Sequence, residues 1–288
     1  MTINGYDKII EYWMCKTFKY IVCFIEGIAF YKIRTKFGYL YQNDPLNFGF
    51  SYDNETINNI IKKKRLLSSL SFRFINDEKK VDYNEIVKTP CDSSFHKMYI
   101  GDTKDAYQLF HTNRRTAVKR AFKEDIYCEQ RKDCESIHEC IRLHELSCRA
   151  WGYEKPLYSR EQLLSVIQMP EDSYDIYLVY FKKDGERIAI ASNITLYNYD
   201  SAEYWFGAMD HQYRKISPNL PIQYLSIQRA IEKGFSHYSF GPSSDNEGRF
   251  LPELAKYKTL MGGVEHYYSV ISINSVLSNL YGYLRKCF

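Results

Sequence analysis

The hydrophobic pattern along the chain changes period several times, and each change marks an element. Tyr20–Phe24 and Ala29–Thr35 are two β-rich runs with Glu26-Gly27 between them, which predicts a hairpin that Gly38–Tyr41 extends. Asp53 is placed to cap a helix over Glu55–Arg65. Leu70–Ile75 alternates large side chains and suits a strand, whereas Asn76–Pro90 is polar, charged and proline-terminated, and predicts a loop. Lys97–Ile100 is a short strand. Gly101-Asp102-Thr103 then opens a helix running to about Phe122, with Asp102 or Thr103 as its N-cap. The apolar side of that helix is Ala106, Phe110, Ala117, Val118 and Ala121; the other side carries Arg114, Arg115, Lys119, Arg120 and Lys123.

After a strand at Ile126–Glu129, a second series opens with a helix over Cys134–Trp151 and a shorter one over Arg160–Gln168, stopped at Met169-Pro170. Tyr174–Lys182 and Arg187–Leu196 form a hairpin about Asp184-Gly185, and Ala202–Gly207 is a third strand. An amphipathic helix over Asn219–Lys233 ends at Gly234, the strand His237–Phe240 follows, and a polar loop leads to Lys258 and Gly262-Gly263. Glu265–Ile273 is a late strand and Ser275–Lys286 a closing helix with Val276, Leu280 and Leu284 on one face. The order from Cys134 is α-α-β-β-β-α-β, and the earlier part echoes it as β-β-β-α-β. The expectation is an α/β (α+β) chain of two similar lobes, each a mixed sheet flanked by helices: a first lobe over 1–130, a second over 131–273, and a C-terminal helix at 274–288 packing back on the first.

Charge and cysteine usage narrow the function classes. A formal net charge of +4 over 288 residues is slight and does not by itself argue for nucleic acid, and no DNA partner is expected. The most apolar stretch, Phe18–Tyr31, contains Lys19 and Glu26 and is shorter than the ~20 apolar residues a membrane-spanning helix needs. A cytoplasmic protein is expected, with peripheral attachment to the inner face of a membrane left open. The eight cysteines include no CxxC pair and are expected to be free thiols. Cys134, His138, Cys140, His144 and Cys148 share one helix, where they spread along a wide face and cannot surround a tetrahedral ion, so no metal is expected.

Three blocks carry a family resemblance. Arg115-Thr116-Ala117-Val118-Lys119-Arg120-Ala121 fits a pattern R-x-x-I-R-K-A. Tyr204–Asp210 with Tyr213-Arg214-Lys215 and Pro218-Asn219 fits a second, and Tyr257-Lys258 with Gly262-Gly263 fits F-K-x-x-x-G-G. In this order they resemble the GNAT acyltransferase superfamily, and more narrowly its Fem-type branch, in which two GNAT-like halves share a chain. The branch includes peptidoglycan-bridge and exopolysaccharide-associated transferases. The resemblance implies an N-acyltransferase with its active site between the halves. It would move an acyl or aminoacyl group from an activated donor, such as an acyl thioester, to an amine on a cell-surface glycan or peptidoglycan precursor, small or lipid-linked. Acyl-CoA is the implied co-substrate, with no permanently bound cofactor. Two departures stand out: Ser239-Phe240-Gly241 replaces the family's D-F-G, and Arg214–Asn219 holds Pro218 and no glycine where GNAT enzymes place a phosphate-binding Gly-rich loop. These leave open an aminoacyl-tRNA donor, and also a non-catalytic binding protein on the same scaffold.

The chemistry of acyl transfer singles out Lys258. Attack of an amine on an ester or thioester builds a negative oxygen, and a cation aimed at it is usually the largest catalytic term. Against this stands an ordinary solvated lysine on a loop. Arg115, Lys119 and Arg120 are candidates for a substrate phosphate, set against a solvated basic face. Gly262 and Gly263 are read either as a close approach to ligand or as a turn. Tyr257 is read as packing beside the site, and Asn219 as a helix start facing the acyl group or as a plain N-cap. Glu203, Asp210 and His237 are candidate bases that spacing does not separate, with substrate-assisted proton transfer as the alternative.

Overall fold

The computed structural model of the chain describes residues 13, 15–17, 21–25, 28–35, 38–43, 55–56, 59–60, 68–75, 93–123, 126–153, 156–183, 185–198, 200–244 and 250–273. The expected closing helix Ser275–Lys286 and the loop Asn76–Pro90 lie outside the described residues, as does much of the helix over Glu55–Arg65. In chain order the elements are β1 (Ile21–Ile25), β2 (Ile28–Thr35), β3 (Gly38–Gln42), β4 (Ser68–Ile75), β5 (Ser93–Tyr99), α1 (Thr112–Ala121), β6 (Ile126–Arg131) and α2 (Cys134–Ala150). They continue with α3 (Arg160–Leu164), β7 (Tyr174–Lys183), β8 (Glu186–Asn198), β9 (Ser201–Met209), α4 (Asn219–Glu232), β10 (His237–Pro242), α5 (Pro252–Leu260) and β11 (Val264–Ile273).

By its internal contacts the chain divides into two units, one of Met1–Lys97, Gly241–Lys256 and Val264–Phe288, the other of Met98–Phe240 and Tyr257–Gly263. In the first, β1, β2 and β3 pair antiparallel in sequence. β3 then pairs parallel with β4, and β11 lies antiparallel to both β4 and β5. Its core includes Phe30 and Phe72, both fully buried, with rings stacked at 5.9 Å.

In the second unit β6, β7, β8 and β9 are antiparallel and β9 pairs parallel with β10. Each unit thus carries a mixed sheet, as expected. Tyr174–Tyr180 of β7 is buried throughout, because helices cover both sides of the strand: α2 and α4 each contact β7, β8 and β9. Residues 98–123, which the sequence reading groups with the first lobe, contribute to this core: Met98, Ile100, Ala106, Phe110 and Val118 are buried with Leu220, Ile227 and Tyr238.

The long helix expected over 103–122 is interrupted. Asp105 accepts a hydrogen bond from Tyr107 N and starts a 3-10 turn at Ala106–Gln108. His111, with extended backbone, then restarts the helix as α1. The break lets Phe110 turn into the core, where it is 1% exposed. The helix ends are more regular. α2, α4 and α5 each close on a left-handed glycine, Gly152, Gly234 and Gly262. In each the glycine N–H bonds the carbonyl three residues back, and the next N–H reaches five back: Tyr153 to Cys148, Phe235 to Ala230, Gly263 to Lys258. That paired closure satisfies helix-end carbonyls that would otherwise be orphaned.

One polar network braces the sheet. Asp175 of β7 is fully buried and accepts from Gln130 Nε2 at 2.6 Å and from the Tyr197 hydroxyl, with Lys132 Nζ at 3.3 Å and Arg229 Nε at 3.8 Å. A buried carboxylate is tolerated only when paired this fully.

Gly152 and Gly262 share a left-handed backbone but not a neighbourhood. A Cβ on Gly152 would meet nothing within 4 Å, whereas one on Gly262 would lie 2.6 Å from the Leu109 carbonyl oxygen. Gly152→Ala is therefore expected to lower stability by about 1 kcal/mol from backbone strain alone. Gly262→Ala adds a backbone clash and is expected to cost at least about 2 kcal/mol, measured for both by urea unfolding.

Candidate functional site

The parallel ladder between β9 and β10 is short: His237, Tyr238 and Ser239 pair with Ser201, Ala202 and Glu203, and there it stops. β9 continues to Met209, hydrogen-bonded to β8 along its other edge. At the same place β9 carries an extra residue. Tyr204 opposes Thr195 and Phe206 opposes Ile194, so Trp205 is the extra residue between two successive pairs. A bulge of this kind reverses the facing of everything beyond it. Before it, Ala202 and Tyr204 pack with Leu220 of α4; after it, Phe206 meets His144 of α2 with rings 5.3 Å apart. The opening beside β9 therefore begins where the strand is also kinked. The bulge also folds Tyr204 back over Gly207, where a Cβ would fall 1.8 Å from the tyrosine hydroxyl. Tyr204 and Gly207 belong to the second motif block, which gives neither a site role, although a glycine inside a strand is a signal of close approach.

Lys258 stands on α5, not on a loop. Pro252 at the first helical position and Glu253 in the first turn are good helix starters, and Gly262 supplies the stop. The side chain is 6% exposed overall, and burial pulls the ammonium's pKa down to about 7. Its backbone carbonyl receives the Gly263 N–H at 3.0 Å, which fixes the residue in the last turn of the helix. A Cβ on Gly263 would lie 3.1 Å from the Phe240 ring, so the helix end sits against β10. Both glycines make close contact with the protein's own atoms, so the structure supports the turn reading over an approach to ligand.

Tyr257, beside Lys258, packs against the same cluster as Tyr204, Phe240, Leu220 and Met261. Burial raises the pKa of both phenols, that of Tyr204 to about 12. The Arg114 guanidinium lies 5.3 Å from the centre of the Tyr257 ring.

The other predicted residues are more dispersed. Arg115 donates from Nε to the Phe110 carbonyl at 2.7 Å and from Nη2 to the Gln108 carbonyl at 3.1 Å, bracing the turn before α1. Lys119 is exposed, 5.5 Å from the Tyr107 ring centre, and Arg120 is exposed in the last turn of α1. Asn219 is the first residue of α4 and not its cap; Pro218 holds the cap position without a side-chain bond. Among the candidate bases, Glu203 is buried and accepts from Ser201 Oγ at 2.7 Å. Asp210 caps the 3-10 turn at His211–Ile216, and His237 Nδ1 is 3.3 Å from Asp200. His144 Nε2 accepts the Tyr158 N–H at 3.1 Å, so that ring serves packing. No group of three or more possible metal ligands occurs among the described residues.

The start of α4 is poor in amide donors. Pro218 and Pro221 carry no N–H, and the Leu220 N–H is bonded to the Ser217 carbonyl. Helix starts bind phosphate through free amides, and this one has few.

The family described as Acetyltransferase (GNAT) domain matches residues 110–259, which run from the turn before α1 to Lys258 and its neighbour. The chain belongs to the GNAT acetyltransferase family. It is therefore an acyltransferase, and its catalytic domain holds the β9 bulge, the start of α4 and Lys258. No curated protein matches its sequence. Among solved structures, FemX is similar over 98% of this chain and 95% of its own at 13% identity, TM-score 0.67. The C-terminal domain of a putative lysylphosphatidylglycerol synthetase from Agrobacterium fabrum is similar over 98% and 91% at 8% identity, TM-score 0.58. A tandem GNAT protein from the clavulanic acid biosynthesis pathway is similar over 85% and 77% at 8% identity, TM-score 0.50. At these identities the likeness is one of fold. No helix among the described residues of this GNAT protein is long and apolar enough to cross a membrane.

The depressed lysine makes stability depend on pH in one direction. Below pH ~7 the amine is charged in both folded and unfolded chains. Between pH 7 and the ordinary lysine value of about 10.4 only the unfolded chain holds the proton, so folding is favoured increasingly as pH rises. Urea unfolding from pH 7 to 10 is expected to show this rise in the wild type, and Lys258→Met is expected to remove that component.

Proposed function

We propose that the protein is an N-acyltransferase that moves an acyl or aminoacyl group from an activated donor onto an amine of a cell-surface glycan or peptidoglycan precursor, working in the cytoplasm or at the inner face of the membrane. The observation that carries this reading is Lys258: a buried amine on the helix that abuts β10, in the half of the chain where β9 parts from that strand. In the reaction the acceptor amine attacks the donor carbonyl. The C–N bond forms, negative charge collects on oxygen, and the intermediate collapses with expulsion of the donor's leaving group while the amine loses a proton. Lys258 in its protonated form stabilises that oxygen, and a negative charge at the site raises its proton affinity again. Glu203 and Asp210 are both engaged in local hydrogen bonds, so the proton is best assigned to the substrate or leaving group. The envelope acceptor is supported by the kinship of fold with FemX and with the lysylphosphatidylglycerol synthetase domain.

The donor has two readings. Acyl-CoA is the one the family suggests. The proline-bearing start of α4 favours the other, an aminoacyl ester such as aminoacyl-tRNA, because a coenzyme pyrophosphate would find few free amides there.

Lys258→Met is expected to lower kcat/KM by at least about 100-fold, on the scale of losing one oxyanion-stabilising donor, without lowering the melting temperature. Full activity in that variant would remove Lys258 from the mechanism. With an aminoacyl donor, ribonuclease treatment of extracts is expected to abolish transfer, and calorimetry with coenzyme A is expected to be blank. Micromolar coenzyme A binding with ribonuclease-resistant activity would return the donor to acyl-CoA.

A further inference from the structure

Among the buried polar groups of the GNAT domain that lack a hydrogen-bond partner within the described residues, two lie side by side. Arg114 Nε and the Tyr257 hydroxyl are shielded from solvent and have no hydrogen-bond partner among the described residues. They are neighbours, with the guanidinium carbon 5.3 Å from the tyrosine ring centre. A third polar group, the Tyr204 hydroxyl, is buried against the same cluster and close enough to act electrostatically on Tyr257. Unmet buried polar groups each cost on the order of 1–3 kcal/mol, so the arrangement is complete only with an acceptor between them.

Charge decides the kind of acceptor. The titratable groups bearing on the Tyr257 hydroxyl are the Tyr204 phenol and the Arg114 guanidinium, with no carboxylate among them. A permanent cation beside a neutral phenol donor matches an oxyanion, whose oxygens accept both N–H and O–H bonds. The neighbouring cations are occupied or directed elsewhere. Arg115 holds two backbone carbonyls, and Lys119 lies over Tyr107. Of the basic residues on α1, Arg114 is the one turned toward α5.

We propose that Arg114 and Tyr257, the residue before Lys258 on α5, together bind an oxyanion, a phosphate or carboxylate carried by a substrate. The site deepens the acyl-transfer reading and rests on it for the identity of the molecule that bears the anion. It assigns anion recognition to Arg114 in place of Arg115, Lys119 and Arg120. Tyr257 becomes a binding residue whose place is set by the same helix end that positions the lysine.

The test is a titration of the intact protein with inorganic phosphate and with acetate, followed by the arginine Nε–H resonances in nitrogen-15 NMR. Arg114→Lys identifies the Arg114 signal by its loss. At constant ionic strength, a saturable shift of that signal is expected with one or both anions and none with chloride. Tyr257→Phe, which removes one hydroxyl and keeps the ring, is expected to weaken the binding about tenfold or more, the scale of a hydrogen bond to a charged group. A response to phosphate points to a phosphate-bearing substrate, and a response to acetate alone to a carboxylate. No shift with either anion, or equal affinity in Tyr257→Phe, overturns the proposal. If Arg114→Lys fails to fold, the wild type against Tyr257→Phe, followed by calorimetry, decides it alone. The probes carry no acyl group, so a failed titration and a failed transfer assay remain separate results.

Discussion

Desolvation of a single amine organises the catalytic half of this protein. A lysine is stable in an apolar setting only if its backbone is held rigidly enough that it cannot swing out, and the end of α5 supplies that hold. Gly262 takes a left-handed conformation beside the Leu109 carbonyl, Gly263 returns its N–H to Lys258, and the turn lies against Phe240. With those contacts in place, burial alone brings the lysine to the edge of deprotonation near neutral pH. A group poised there responds strongly to the charge of whatever binds beside it.

A good part of this was legible in the chain. Strands and helices with strong periodicity, such as Tyr174–Lys182, Cys134–Trp151 and Asn219–Lys233, lie where their patterns put them, because tertiary packing and local preference agree there. Lys258 could be singled out from its flanking aromatic and glycines. Its helix was harder to see: α5 has little amphipathic contrast, and its start is signalled only by Pro252-Glu253. The break at Asp105–His111 was hidden for a related reason. Ala106 and Phe110 keep helical spacing across it, while Asp105 quietly takes the backbone bond that ends the run.

The site residues divide along the same line. Arg115 matched a motif, yet its guanidinium is spent on two carbonyls seven and five residues back. A motif records that a side chain is needed, not which partner needs it. Arg114, just outside the first motif block, and Tyr204, which opens the second, acquire their importance from three-dimensional neighbours: the ring of Tyr257 for one and the bare Cα of Gly207 for the other. At the start of α4 the information runs the other way. Two prolines in four residues are visible in the sequence, and the structure adds that Leu220 has already given its N–H to Ser217.

The bulge at Trp205 has a consequence for how this gene can drift. Tyr204 opposes Thr195 and Phe206 opposes Ile194, which are successive residues of β8, so losing the residue between them would leave both pairs and the faces they point to as they are. His144 would keep Phe206, and what would go is the ring of Trp205 against Tyr158. A residue gained or lost further along β9 has no such outlet, because it shifts the pairing and turns every later side chain over. The bulge is thus the one place on this strand where length can vary without reversing the core.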